Sequence, residues 1–395
     1  MIELELTLET EAPLVLRASR TSAQFTPTLT CIPGVALRGA LALRYLRQGG
    51  QPEDGLFRTL FLTRAVSFGS LFPSKNGITG RPLPLSAVAC KRYKAKHKES
   101  VGDSLLRLEL ADVLGSLEPL DEWETCPDCE AQFPDVQPNK RDRLSGYYLE
   151  QDEFETIKPA VRMLTGVGIS RTTGTAAQGI LFSMEAIEEG QCFKGRVRLD
   201  GDEAERLVDR VKELAPEGKV LRLGAARSRG QGRVRVVGWQ AVNNKGPSLA
   251  ERWDALNAVV RHLWTRHGAE PEGEYFTLTL ESPLILRDKC LRPMRPDDLG
   301  TEAFGLPVEA ERRRFILNEV VLQGWNAAWH LPKRDIPAFG MGSVFLFRVR
   351  AGERDAVLAR LEEIEQKGLG ERRNEGFGRV RVCDPFHYRF EEVSA

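Results

Sequence analysis

The chain opens on a strict alternation, Leu4-Glu5-Leu6-Thr7-Leu8-Glu9, in which every second residue is apolar. A period of two predicts a strand with one buried face. The strand runs into Ala12-Pro13-Leu14-Val15-Leu16-Arg17, and nearly the same passage returns far downstream. There Tyr275-Phe276-Thr277-Leu278-Thr279-Leu280-Glu281 leads into Ser282-Pro283-Leu284-Ile285-Leu286-Arg287. Gly179-Ile180-Leu181-Phe182-Ser183-Met184 resembles Gly342-Ser343-Val344-Phe345-Leu346-Phe347, and both predict strands. Apolar residues three and four apart predict helices after each, over 203–214 and 355–364. Each helix yields to a loop of glycine and arginine, and each loop to a Val/Arg strand.

Recurrence of strand, helix, loop and strand in one order predicts a tandem duplication. The order fits an α+β fold of two ferredoxin-like βαββαβ units. The first spans 1–242 and the second 275–395, with a turn-rich connector and a linking helix between them at 243–274. About a hundred residues, roughly Thr63 to Lys158, are expected as an insertion in the first unit, judged against the usual size of such a unit.

Composition narrows the classes. At 395 residues, 42% hydrophobic and 28% charged, the sequence is that of an ordinary globular protein. With 56 basic and 56 acidic side chains the formal charge is zero, so attraction to nucleic acid must come from local clusters. No apolar run reaches bilayer length, and the first residues lack signal-peptide character, so no membrane contact and a cytoplasmic location are expected. Seven cysteines, an odd number in a long chain, argue against a secreted disulfide framework.

Three of those cysteines suggest a metal. Thr125-Cys126-Pro127-Asp128-Cys129 forms a Cys-x2-Cys knuckle, and Cys90 and His97, at either end of Cys90-Lys91-Arg92-Tyr93-Lys94-Ala95-Lys96-His97, could complete a tetrahedral structural zinc (Zn2+) site. A redox motif would instead sit at a helix start within a βαβ setting. The run Lys91 to Lys98 is either a solvated face or a nucleic-acid contact of the kind seen beside zinc knuckles. Cys31, Cys192, Cys290 and Cys383 lie in or beside apolar stretches and are expected in the core.

Four loops could hold an anionic chain. Gly224, Arg227, Ser228, Arg229, Gly230, Gln231, Gly232 and Arg233 form the first glycine loop, and Arg372, Arg373, Asn374, Gly376, Phe377, Gly378 and Arg379 form the second. Glycines let backbone N–H groups face a ligand, and guanidinium forks match phosphate oxygens. Pro33, Gly34, Arg38 and Gly39 open a helix whose N-terminus could accept an anion. Ser170, Arg171, Thr172 and Thr173 belong to a hydroxyl-rich loop that either follows a sugar-phosphate backbone or forms a plain hairpin tip. Trp325, Trp329 and His330 could stack bases or build an interface.

These motifs carry a resemblance. Ile32-Pro33-Gly34-Val35-Ala36-Leu37-Arg38-Gly39, taken with Ala226-Arg227-Ser228-Arg229-Gly230-Gln231-Gly232-Arg233-Val234, resembles the RAMP superfamily of CRISPR-associated proteins, whose units are RRM-like. Pro82-Leu83-Pro84-Leu85-Ser86, Ile169-Ser170-Arg171-Thr172-Thr173-Gly174, Gly324-Trp325-Asn326 and Gly376-Phe377-Gly378-Arg379-Val380 are similar to one branch. That branch is the double-RAMP, Cas-five-like Csx subunit of type III-D effector complexes. The resemblance implies a scaffold that grips the 5′ tag of the CRISPR RNA and caps the backbone filament. Its implied partners are the large polymerase-like subunit, backbone RAMP subunits and, indirectly, target RNA. The two glycine loops, the Pro33–Gly39 turn and the Ser170–Thr175 loop would then contact RNA. Gln231 departs from Phe377 at the matching place in the second loop.

The resemblance also raises an enzymatic alternative. Related subunits cleave RNA through a histidine-centred site or a loop acid. None of the five histidines sits in a glycine loop, which leaves Asp288, Asp297 and Asp298 as acidic candidates in a loop that also suits turn formation. Binding without catalysis is expected. A zinc-clipped module that touches only protein is the third reading.

Overall fold

The computed structural model describes residues 1–18, 25–121, 123–242, 246–307, 310–326, 331–350 and 352–391. In chain order the first half contains β1 (Ile2–Thr10), α1 (Gly34–Arg47), β2 (Val66–Lys75), α2 (Leu105–Leu114), a hairpin of β3 (Val161–Ile169) and β4 (Ala176–Ile187), β5 (Cys192–Leu199), α3 (Ala204–Leu214) and β6 (Arg233–Ala241). The second half contains α4 (Leu249–Arg266), β7 (Glu274–Leu280), β8 (Ala310–Ile316), β9 (Val344–Val349), α5 (Arg354–Lys367) and β10 (Val380–Val382). The result is a mixed α/β chain built mainly on antiparallel sheets, as the α+β reading expects.

In the first half the strands lie in the order β6-β1-β5-β2, and in the second β10-β7-β9-β8. Each set is antiparallel throughout. Each therefore places its fourth, first, third and second strands side by side.

β1 keeps the alternation of its sequence. Leu4, Leu6 and Leu8 are buried, while Glu3 and Glu5 turn to the opposite face and pair with Arg198 at 3.1 Å and Lys194 at 2.7 Å on β5. Such cross-strand pairs add to the register that the apolar face already imposes. β7 differs, because Tyr275 to Leu280 are all buried. One reason is α4, where Trp253 stacks on Phe276 with centroids 5.3 Å apart. Another is α2, which comes from the first half and yet adds Leu105, Leu106 and Leu110 to the second core.

α4 also finishes the second sheet. β10 pairs with β7 only at Leu278–Leu280, which leaves the edge at Tyr275 open. Asn257 closes it, accepting from the Tyr275 N–H at 2.7 Å and donating to the Tyr275 carbonyl at 2.8 Å. A buried strand edge needs those partners, so the linking helix is part of the second unit's structure. The connector residues 243–245 lie outside the described residues.

Three expectations need correction. Val66–Lys75, expected inside an insertion from about Thr63, is the second core strand of the first sheet, pairing with β5. The counterpart of β9 is β5 and not Gly179–Met184, which belong to β4. Ile187 at the end of β4 exchanges backbone bonds with Leu14 as Phe339 does with Leu284. Consecutive strands share one alternation, so the sequence pattern could not say which of them reaches β1. Cys31 and Cys383 are buried as expected, but Cys290 is exposed and Cys192 only half-buried. Cys290 follows Asp288 in a tight polar turn that keeps it out of the core.

Among the described residues no helix is long and apolar enough to cross a membrane.

Candidate nucleic-acid interface and metal centre

The two glycine loops share one backbone path. Ala226 and Arg372 open them at φ 55° and 54°, and short 3-10 turns follow at Arg227–Arg229 and Arg373–Glu375. Gly232 N–H donates to Pro13 O at 2.8 Å, and Gly378 N–H to Pro283 O at 2.9 Å. Glycine is required at these two positions. A Cβ would lie 2.0 Å from Leu223 O in the first loop and 1.8 Å from Leu369 O in the second, both at positive φ.

Their surroundings differ. In the first loop Ser228, Arg229 and Gly230 are exposed and Arg227 is half-buried. The Arg229 guanidinium lies 5.8 Å from the ring of Phe182 on β4, and Arg233 pairs with Glu11 at 3.1 Å. Gln231 leaves its Oε1 buried without a partner.

The second loop is pressed against the first half of the chain. Glu375 stands where the first loop has Arg229, and it pairs with Arg372 and, at 3.3 Å, with Arg38 of α1. Ser67 on β2 donates to Arg373 O at 2.7 Å. A Cβ on Gly376 would come within 2.3 Å of Phe68 O, and one on Gly34 within 1.8 Å of the same atom. Burial pushes the Arg379 guanidinium down to about 10, with Arg198 adding to the effect and Glu3 and Glu281 opposing it. Arg372 lies over the Phe377 ring at 4.9 Å.

The Pro33–Gly39 turn shares that junction. Pro33 caps α1, Arg38 donates through Nε to Phe61 O at 2.7 Å, and Gly39 faces open space. Burial pulls the Arg38 pKa down while Glu375 pushes back. The Ser170–Thr173 residues are elsewhere, at the tip of the β3–β4 arm, where Gly174 N–H closes the turn on Ser170 O at 2.9 Å. Arg171, Thr172 and Thr173 are exposed there. Nine residues of β3 make the arm about 30 Å long. Trp325 is 59% exposed on a short hairpin, and Trp329 and His330 lie outside the described residues.

Sequence reasoning missed Phe182, the aromatic partner of the first loop. Its signal is Gly166, directly opposite in the arm, where a Cβ would meet the Phe182 ring at 2.6 Å. It also missed the meaning of Glu375, an acid in a supposed anion cradle.

The second site is a cluster of Cys90, His97, Cys126 and Cys129, all buried, whose ligand atoms lie within 4.8 Å of one another. Cys90 Sγ and Cys129 Sγ are 3.7 Å apart, and His97 Nδ1 is 3.3 Å from Cys126 Sγ and 3.5 Å from Cys129 Sγ. Edges of a tetrahedron around a zinc-sized ion would measure about 3.8 Å for S···S and about 3.6 Å for N···S. The sulfurs also receive hydrogen bonds, from Tyr93 N–H on Cys90 at 3.4 Å and from the Asn139 amide on Cys129 at 3.2 Å. Tyr93 stacks on His97 at 4.2 Å and fixes its ring. Burial raises the Cys129 thiol, but the hydrogen bonds from Asn139, together with those to Cys126 and Cys90, outweigh it and bring it to about 7. The four residues could hold a metal ion.

Asp288 spends its carboxylate on its own loop. Oδ1 accepts from Cys290 N–H at 2.8 Å and Arg292 N–H at 2.9 Å, and Oδ2 accepts from Arg292 Nε at 2.8 Å. The backbone bond from Arg292 is the main cause of its lowered pKa.

A structure of paired glycine loops hung on the ends of antiparallel sheets defines a class. Residues 7–235, more than half of the chain, match the RAMP superfamily model, and the chain belongs to the RAMP superfamily. No curated protein matches the sequence. Among solved structures, a chain of the type III-B Cmr-beta complex bound to cognate target RNA and AMPPnP is 15% identical, covering 87% of this chain and 86% of that one, with a TM-score of 0.43. A chain of a type IV-B CRISPR complex is 13% identical over 62% of this chain and 93% of that one, with a TM-score of 0.29.

Proposed function

We propose that this RAMP protein is a non-catalytic RNA-binding subunit of a type III CRISPR effector complex, built from two ferredoxin-like modules. In this reading it holds the 5′ tag of the CRISPR RNA beside the large polymerase-like subunit, as a type III-D member would. The observation that carries the reading is the unequal fate of the two loops. Only the first keeps Ser228, Arg229 and Gly230 exposed to a ligand, with Arg227 half-buried beside them and Phe182 against Arg229. Guanidinium groups on an open glycine turn suit phosphates, and the ring suits a base.

The second loop, with the Pro33–Gly39 turn, takes the role of joint between modules. Neighbouring subunits would be seated on the β3–β4 arm, where Met163, Val167, Ile169 and Leu181 are each about half exposed or more. Zinc at the four-ligand centre would hold together the inserted lobe, residues 78–157 after β2; when bound, its chemistry is structural, because all four positions are filled by protein. Asp288 is read as a turn former, so RNA should leave the protein intact.

The test is co-purification from a host carrying its CRISPR locus, followed by sequencing of the retained RNA. Enrichment of repeat-derived 5′ ends is expected, and should be lost in the Arg227→Ala/Arg229→Ala variant. Retained RNA without such ends, or none at all, would refute the assignment.

A further inference from the structure

We infer that the metal lobe carries a second contact for single-stranded RNA, separate from the glycine loop, made by Lys91, Arg92 and Lys96 with the ring of Phe133. Lys91, Arg92, Lys94, Lys96 and Lys98 fall within eight residues that contain no acid, and all five are exposed. The run is held in a fixed turn. Lys94 N–H donates to Cys90 O at 2.8 Å, Lys96 N–H donates to Tyr93 O at 3.2 Å, and two members of the four-ligand cluster hold the run, Cys90 just before it and His97 within it. The turn sends Tyr93 inward onto His97 and leaves the cations outside.

Local carboxylates neutralise only part of this charge. Lys94 pairs with Asp142 at 3.6 Å and Lys98 pairs with Glu153, whereas Lys91, Arg92 and Lys96 make no ion pair among the described residues. Of the other acids in the lobe, Glu124 pairs with Lys140 and Asp128 accepts from the Ser100 N–H, while Glu99, Glu130 and Asp135 are exposed and make no ion pair among the described residues. Beside these cations Phe133 is 44% exposed, its ring parallel to Tyr93 at 6.4 Å. Arg92 lies over Tyr93 at 5.4 Å.

Charge decides the class of partner. A protein-docking face has an apolar centre depleted of charge, and this surface is the reverse, with three cations free of ion pairs in the turn whose Tyr93 lies alongside Phe133. The ring decides the form of the nucleic acid, since only an unpaired base can reach and stack on it.

The test uses the full metal-loaded chain and a fluorescein-labelled oligouridylate, with binding followed by anisotropy over a range of salt. Replacing Lys91, Arg92 and Lys96 by alanine should reduce the slope of log K against log salt by about 2, near 0.7 for each lost phosphate contact on a single strand. Phe133→Ala should weaken binding about tenfold and leave the slope alone. Both variants should keep their metal. Unchanged affinity and slope in both would overturn the inference, even if Arg227→Ala/Arg229→Ala weakened binding. The converse result, with lobe variants weakened and loop variants unaffected, would support it and sink the glycine-loop reading instead. Ultraviolet crosslinking of the unaltered protein gives a check that needs no substitution: an RNA-linked peptide containing Phe133 is expected, and its absence counts against the contact.

Discussion

Arg229 and Glu375 occupy the same place on two copies of one loop, and that exchange separates their roles. Arg229 faces outward over Phe182, while Glu375 draws Arg38 and Arg372 into a half-buried knot. Glu375→Ala should leave two cations short of a partner and cost about 1–2 kcal/mol in denaturant unfolding. Gly376→Ala should cost more, about 2 kcal/mol or above, because its φ of 89° and the nearby Phe68 O both exclude a Cβ. Asp288→Ala should lose only the turn, about 1 kcal/mol, with gel assays showing target RNA uncut by either protein. The existence of both loops was legible from their glycines and arginines. Their opposite orientations were not, because Glu375 acquires its meaning from Arg38, more than three hundred positions away in the chain.

At the level of elements, the alternation of β1 and the helical spacing of α3, α4 and α5 were readable from apolar positions alone. β2 was hidden because Pro73 and the neighbouring turn residues look like a loop, although the strand is secured by pairing with β5. Nothing local in Leu105–Leu114 says that its leucines complete the core of the other half, since that burial is a tertiary fact. The gathering of Cys90, His97, Cys126 and Cys129 was legible, because ligand chemistry and spacing travel with the sequence. A metal held by these four residues would support more than its own loop. Chelation or Cys129→Ser should destabilise the lobe by about 3 kcal/mol or more and raise hydrogen exchange in α2 and in the β8 residues it touches, Arg313 and Arg314.

Across the whole molecule, the inserted lobe is fastened to the second half by buried polar groups. His387 accepts or donates through Nε2 to Thr279 at 2.8 Å and meets Asp103 through Nδ1 at 3.0 Å, and Ser86 donates to the same carboxylate at 2.5 Å. Burial lowers the His387 pKa, but Asp103, with help from Asp384, outweighs burial and the repulsion of Arg381 and raises it above 6.5. A raised folded value means that protonation stabilises the fold. That contribution is complete below the unfolded value near 6.5 and fades as pH climbs through the raised one. Melting temperature at constant ionic strength should therefore fall as pH rises above about 6.5, and His387→Gln should flatten the profile. Glu150 works in the other direction. Burial raises it, yet Arg381 and Arg81 hold it at about 2, so its contribution is present above 4.5 and lost as pH falls toward 2.

The central claim is that one glycine loop is reserved for RNA and its copy for the protein itself. Backbone hydrogen exchange of both loops, with and without bound CRISPR RNA, tests it most directly. Within 224–233 the exposed Ser228 and Gly230 should exchange freely in the RNA-free protein and slow sharply on binding, while residues 372–379 should already be slow and stay so. Protection that appears on RNA binding at 372–379, with 224–233 unchanged, would contradict the account.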